Sequence, residues 1–236
     1  MESTGVYWKS PFAALEAVGI IAWVVNARHV KAVPGRKTDM ADAQWLATLA
    51  RAGLLRASRV PPVDFRQLRL VARQRQKLVG MCSAEKNRLH KVLTDAGIRI
   101  NVLVADIHGA SARAMVKALI ADQPMHEVLD RKGRLRASRE DLFEALSTEQ
   151  FSAVHRFVAE EIMQHIEQIE QRIARMDQYL LESLRAWPPQ LNLLRTIPGV
   201  DIQGAAMLLV EIGADMTVFG CSERGQKRPA LDQDAA

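Results

Sequence analysis

From Ile162 onward the apolar residues Ile162, Ile166, Ile169, Ile173, Met176 and Leu180 recur at spacings of 4, 3, 4, 3 and 4. A strand would scatter these side chains over both of its faces, whereas a helix of 3.6 residues per turn lines them up on one side. A long helix is therefore expected over about residues 149–186, with Glu, Gln and Arg on its flanks and Trp187-Pro188-Pro189 as its stop. Such a seam must be covered. Either a second copy of the chain covers it, giving a homodimer or higher oligomer through a coiled coil, or the helix is amphipathic and lies on its own domain's core. The run holds few heptads for a coiled coil, and both solutions stay open.

A second long helix is expected over about residues 64–96, after the break at Pro61-Pro62. Its apolar positions Leu68, Val71, Leu78, Leu89 and Val92 are sparse, and from Arg66 to Arg99 nine Lys or Arg stand among two acids. Such a helix can track a phosphate backbone, although charge runs on long helices also serve as solvated faces. Before it, a helix near residues 9–17 closed by Gly19 leads into the apolar run Ile20-Ile21-Ala22-Trp23-Val24-Val25, of strand length. A basic loop with a Pro34-Gly35 turn follows, then a helix from Asp39 stopped by Gly53. After the two long helices come Ile197-Pro198-Gly199-Val200 and a small-residue helix near 203–212, closed by Gly213. The fold class is thus mostly α with a residual α/β part. The last residues, from about Gly225, have neither period nor apolar face and read as a disordered tail.

The 236 residues carry 32 Lys and Arg against 27 Asp and Glu, a mild basic excess that favours an acidic partner such as nucleic acid. Cys82 and Cys221 are far apart and lie in no metal-ligand spacing, which points to a reducing cytoplasm. No signal peptide or membrane span is evident. His108, His126, His155 and His165 form no metal-ligand spacing and are expected on the surface or in the core.

Asp39 and Asp42 stand three apart at a helix start, so both carboxylates leave one face and can hold a divalent metal. The alternative is a helix N-cap with a carboxylate in the first turn, both favoured by the helix dipole. A two-metal site needs carboxylates from several elements, and Glu2, after a strand ending at Met1, is the candidate third ligand. Arg28, His29, Lys31, Arg36 and Lys37 lead into that pair and are candidates to clamp a phosphate backbone, or else form a solvated loop. The Ile197-Pro198-Gly199-Val200 turn has the form of a helix-hairpin-helix, but Asp201 stands where that motif repeats glycine. A carboxylate there repels phosphate, so a structural turn is the competing expectation.

Three stretches combine into a more specific pattern: Met1-Glu2-Ser3-Thr4-Gly5-Val6-Tyr7-Trp8; Asn26-Ala27-Arg28-His29-Val30-Lys31 with Pro34-Gly35-Arg36-Lys37-Thr38-Asp39-Met40-Ala41-Asp42-Ala43; and Thr196-Ile197-Pro198-Gly199-Val200 with Glu211-Ile212-Gly213. Together they resemble the DEDD transposases of the IS110 family of insertion sequences, relatives of the Piv site-specific invertases. The resemblance implies an RNase H-like, resolvase-like catalytic domain at the N-terminus (residues 1–60), a helical linker and dimerising coiled coil (61–190) and the start of a C-terminal transposase domain (191–224). It implies Mg²⁺ held by four carboxylates, of which Glu2, Asp39 and Asp42 match the second, third and fourth. A serine that attacks DNA, a DNA partner and a structured guide RNA are implied as well.

No residue matches the family's first aspartate or its serine, and Ser222 comes too early for that role. The expectation is a copy truncated at both ends: a transposase by family, inactive in this chain, with a poorly folded N-terminal region or one that needs a partner chain. The alternative is a non-catalytic coiled-coil module that grips nucleic acid and interferes with intact transposase. Nuclease activity of the resolvase kind without a serine is a third, less favoured possibility.

Overall fold

The computed structural model describes residues 1–3, 5–27 and 39–217, the backbone alone over 39–42. It divides into two compact units, residues 1–63 and 64–236. Among the described residues helices dominate and the one sheet has two short strands. None of the described helices is long and apolar enough to cross a membrane.

In the first unit, helix α1 (Lys9–Ala17) ends at Gly19, whose φ of 75° lets the chain reverse without a Cβ clash. The apolar run after it pairs only over strand β1 (Val24–Val25), while Ile20 and Ile21 are exposed. A strand extends only as far as its neighbours supply backbone partners. Here β2 (Ala57–Ser58) pairs antiparallel with β1 on one side, and residues 1–3 pair parallel on the other. Helix α2 (Asp39–Arg51) lays Trp45, Leu46 and Leu49 against Val25 to make the unit's small core.

In the second unit, helices α3 (Val63–Asp95) and α8 (Ala153–Ser183) run antiparallel. Arg75 pairs with Asp177, Lys86 with Glu170, and Asp95 with His155, so numbers rise along one helix as they fall along the other. Ile162, Ile166 and Ile169 are buried in one cluster with Leu78, Cys82 and Leu89, and Ile173 and Met176 pack on it. Leu180 joins Phe65, Leu68 and Ala72 in a second cluster. The seam is therefore filled within the chain. Local closure of the hairpin brings its cover at far lower entropic cost than a second molecule. Within the chain these residues pack as the amphipathic alternative describes, with Ile173 and Met176 only half-buried.

Four short helices, α4 (Ile100–Leu103), α5 (Ala110–Ile120), α6 (Met125–Asp130) and α7 (Arg139–Leu146), close over the far end of the hairpin. At the near end α9 (Pro188–Arg195) and α10 (Ile202–Ile212) share a core with Phe65 and Leu184. Helix α8 starts four residues later than its sequence pattern suggests. Ser152 caps it, and the Ser152 and His155 side chains each reach the other's backbone N–H.

Candidate functional site

Glu2 lies where the 1–3 segment meets β1. The Ser3 N–H donates to the Val25 carbonyl at 2.8 Å, and the Val25 N–H donates to the Met1 carbonyl at 2.9 Å. The side chain of the same Val25 packs with Leu49 of α2. One two-residue strand thus anchors both elements that carry the candidate carboxylates. Asp39 opens α2 and Asp42 follows one turn in, so their backbone lies on the helix the spacing foretold. At a rise of about 1.5 Å per residue, Asp42 lies about 10 Å along the helix axis from Leu49. Their side chains, and Arg28, His29, Lys31, Arg36 and Lys37 altogether, lie outside the described residues, as do Cys221, Ser222 and the expected tail. Among the described residues no three His, Cys, Asp or Glu side chains converge as a metal site.

The basic helix is less free than its composition suggests. Arg69 donates to the Val210 and Glu211 carbonyls, and Arg73 meets the Glu211 carboxylate at 3.1 and 3.3 Å. Arg75 forks onto Asp177, Lys86 reaches Glu170 at 2.9 Å, and Arg88 reaches Glu85 at 2.9 Å. Five of the nine cations thereby stitch α3 to α8, to α10 or to itself. A hydrogen bond from Arg73 is the main cause that holds the Glu211 carboxyl below the usual range, against a smaller opposing effect of burial. Burial pushes Glu170 the other way, but Lys86 and Arg113 outweigh it and its carboxyl is also lowered. Arg113 and Lys117 of α5 reach Glu167, and Arg113 also reaches Glu170 at 2.8 Å, so three helices meet in one charge network. Sequence alone could not show this, because the acids are about 80–140 residues away from their α3 partners.

The turn before α10 places Gly199 at a φ of 83°, and Asp201 is the N-cap, accepting from the Gly204 N–H at 2.6 Å. The carboxylate occupies the amide that a phosphate would otherwise seek, which fits the structural-turn expectation. The histidines do not converge. His155 lies 3.2 Å from Asp95, His165 lies 3.6 Å from Glu85, and burial lowers the pKa of His108.

Beside this geometry, the family model of IS110-type DEDD transposases, described as "Transposase", matches residues 1–98. The matched span holds Glu2, the basic loop, Asp39, Asp42 and all of α3. No curated protein and no solved structure matches the chain.

Proposed function

We propose that this chain is a DEDD transposase of the IS110 type, a reading supported by the match of that family's model to residues 1–98, and that it serves DNA transposition by metal-dependent strand cleavage and joining. The single observation that carries the proposal is the match over the stretch that contains Glu2, Asp39 and Asp42. In this reading those three carboxylates hold Mg²⁺, and Arg28, His29, Lys31, Arg36 and Lys37 grip the phosphate backbone leading to them. The bound ion would supply charge stabilisation and a polarised phosphoryl oxygen. The parallel pairing of residues 1–3 with β1, with α2 packed on the same strand, supports an RNase H-like arrangement for this unit. A structured RNA is the further partner suggested by the family resemblance.

In this reading Glu2, Asp39 and Asp42 furnish three of the family's four carboxylates. Excision from a matching element with purified protein, Mg²⁺ and guide RNA tests the transposase reading: product that is lost in Glu2→Gln and in Asp39→Asn supports it, product unchanged in both overturns it, and no product from any of the proteins favours the non-catalytic reading below. Calorimetric titration with Mg²⁺ tests the metal role, since Glu2→Gln and Asp39→Asn should each lose binding; unchanged binding in both refutes it. A non-catalytic module that interferes with intact transposase is the second reading, favoured by the two apolar clusters that α3 to α10 build among the described residues without the candidate carboxylates.

A further inference from the structure

A cavity of about 540 Å³ opens where the ends of α5 and α7 meet the start of α8. Its floor is apolar, from Leu119, Met125, Leu146 and Phe151, and its rim carries Asp122, Gln123, Ser147, Thr148, Glu149 and Arg156. The volume falls within the range of small-molecule sites, and an apolar floor with a few polar groups is their usual composition.

Arg156 is the unusual member. Its guanidinium carbon lies 5.1 Å from the centroid of the Phe151 ring, one Nη donates to Asp122 at 2.7 Å, and its Nε is sealed from solvent with no hydrogen-bond partner. A planar cation laid on an aromatic ring has a second face, which can take another flat ring. Asp122, which holds it, has a φ of 55°, the only left-handed non-glycine backbone among the described residues. It closes the C-terminal turn of α5, where the Gln123 N–H returns to the Ala118 carbonyl at 3.0 Å and holds Gln123 beside the cavity.

The cavity also connects to charge. Arg131 donates to Gln123 Oε1 at 2.8 Å, and Arg131 begins the basic stretch Arg131-Lys132-Gly133-Arg134-Leu135-Arg136. Arg134 and Arg136 are exposed, and neither they nor Lys132 meets an acid among the described residues. A row of uncompensated cations beside a pocket with a stacking surface is the arrangement that holds a single-stranded polynucleotide, backbone on the cations and one base in the pocket.

We propose that this cavity receives one unstacked base of a single-stranded nucleic acid, stacked against the exposed part of the Arg156 guanidinium, while Lys132, Arg134 and Arg136 hold the neighbouring phosphates. Gln123 and Thr148 offer hydrogen-bonding groups to the base edge. The inference rests on the nucleic-acid role proposed above but uses none of the carboxylates.

The test is fluorescence anisotropy of labelled single-stranded DNA and RNA oligomers, each intact or carrying one abasic position moved along the strand. For the full chain, an abasic site at one register should weaken binding roughly tenfold, the effect of one lost stack. The penalty should vanish in Arg156→Gln and, if that variant folds poorly by circular dichroism, in Gln123→Trp, which fills the mouth of the cavity. Comparing the DNA and RNA arms identifies the source of the base. Salt-sensitive binding with no abasic penalty at any register overturns the pocket while leaving the transposase reading intact. Absence of all nucleic-acid binding overturns both.

Discussion

Replacing Ile166 by Ala tests whether the α8 seam is closed within one chain. Ile166 has no solvent exposure and belongs to the cluster that includes Leu78, Cys82 and Met115. The substitution removes three methyl or methylene groups at about 0.8 kcal/mol each, about 2.4 kcal/mol of transfer free energy. The cavity left between two long helices, which cannot collapse freely, raises the expected loss to about 3–4 kcal/mol. For a unit of this size about 1 kcal/mol lowers Tm by about 2–4 °C, so a fall of roughly 6–16 °C is expected. Scanning calorimetry at two protein concentrations a hundredfold apart provides the assay. With the seam covered by α3, the Tm of wild type and of I166A should each be independent of concentration. Phe157→Ala, at a position 64% exposed, should shift Tm by far less. A Tm that climbs with concentration in the wild type, with I166A falling to a monomer of unchanged Tm, would refute the intramolecular seam and restore the dimeric coiled coil.

Two further perturbations probe the charges that hold the hairpin in register. Arg75→Ala strands Asp177, a carboxylate only 16% exposed, and should cost about 2 kcal/mol. A double-mutant cycle with Asp177→Ala should then show coupling above about 0.5 kcal/mol, and additive losses would show that the pair contributes nothing. Arg73 holds Glu211 below the ordinary carboxyl value of 4.5 in the folded state, so the folded protein binds fewer protons there than the unfolded chain. That contribution to stability is complete above about pH 4.5 and fades as pH falls through the lowered value. The Tm gap between wild type and Glu211→Gln should accordingly narrow below about pH 4.5, and a gap constant from pH 7 to pH 3 would contradict the assignment.

Local signals told the sequence a good deal. The 4-3 spacing of Ile162 through Leu180, Gly19, Gly53 and Gly213 as helix ends, and Asp39 as a helix start all depend on neighbours within a few residues, where backbone sterics and helical period act. The motif around Glu2, Asp39 and Asp42 is legible for the same reason, as short contiguous strings within the stretch that a transposase family model matches. What covers the seam was not legible. Ile166 presents the same apolar face whether its partner is α3 or a second molecule, and only the closed hairpin distinguishes them. Nor could the sequence tell that Arg69, Arg73 and Arg75 are spent on Glu211, its backbone and Asp177, because ion pairing depends on distance in space. The cavity at Arg156 has no sequence signature at all, since it is made by three helix ends that meet only once the hairpin has closed. Helical period and turn chemistry are properties of the chain; which face meets which, and which charge remains free for a ligand, are properties of the packed molecule.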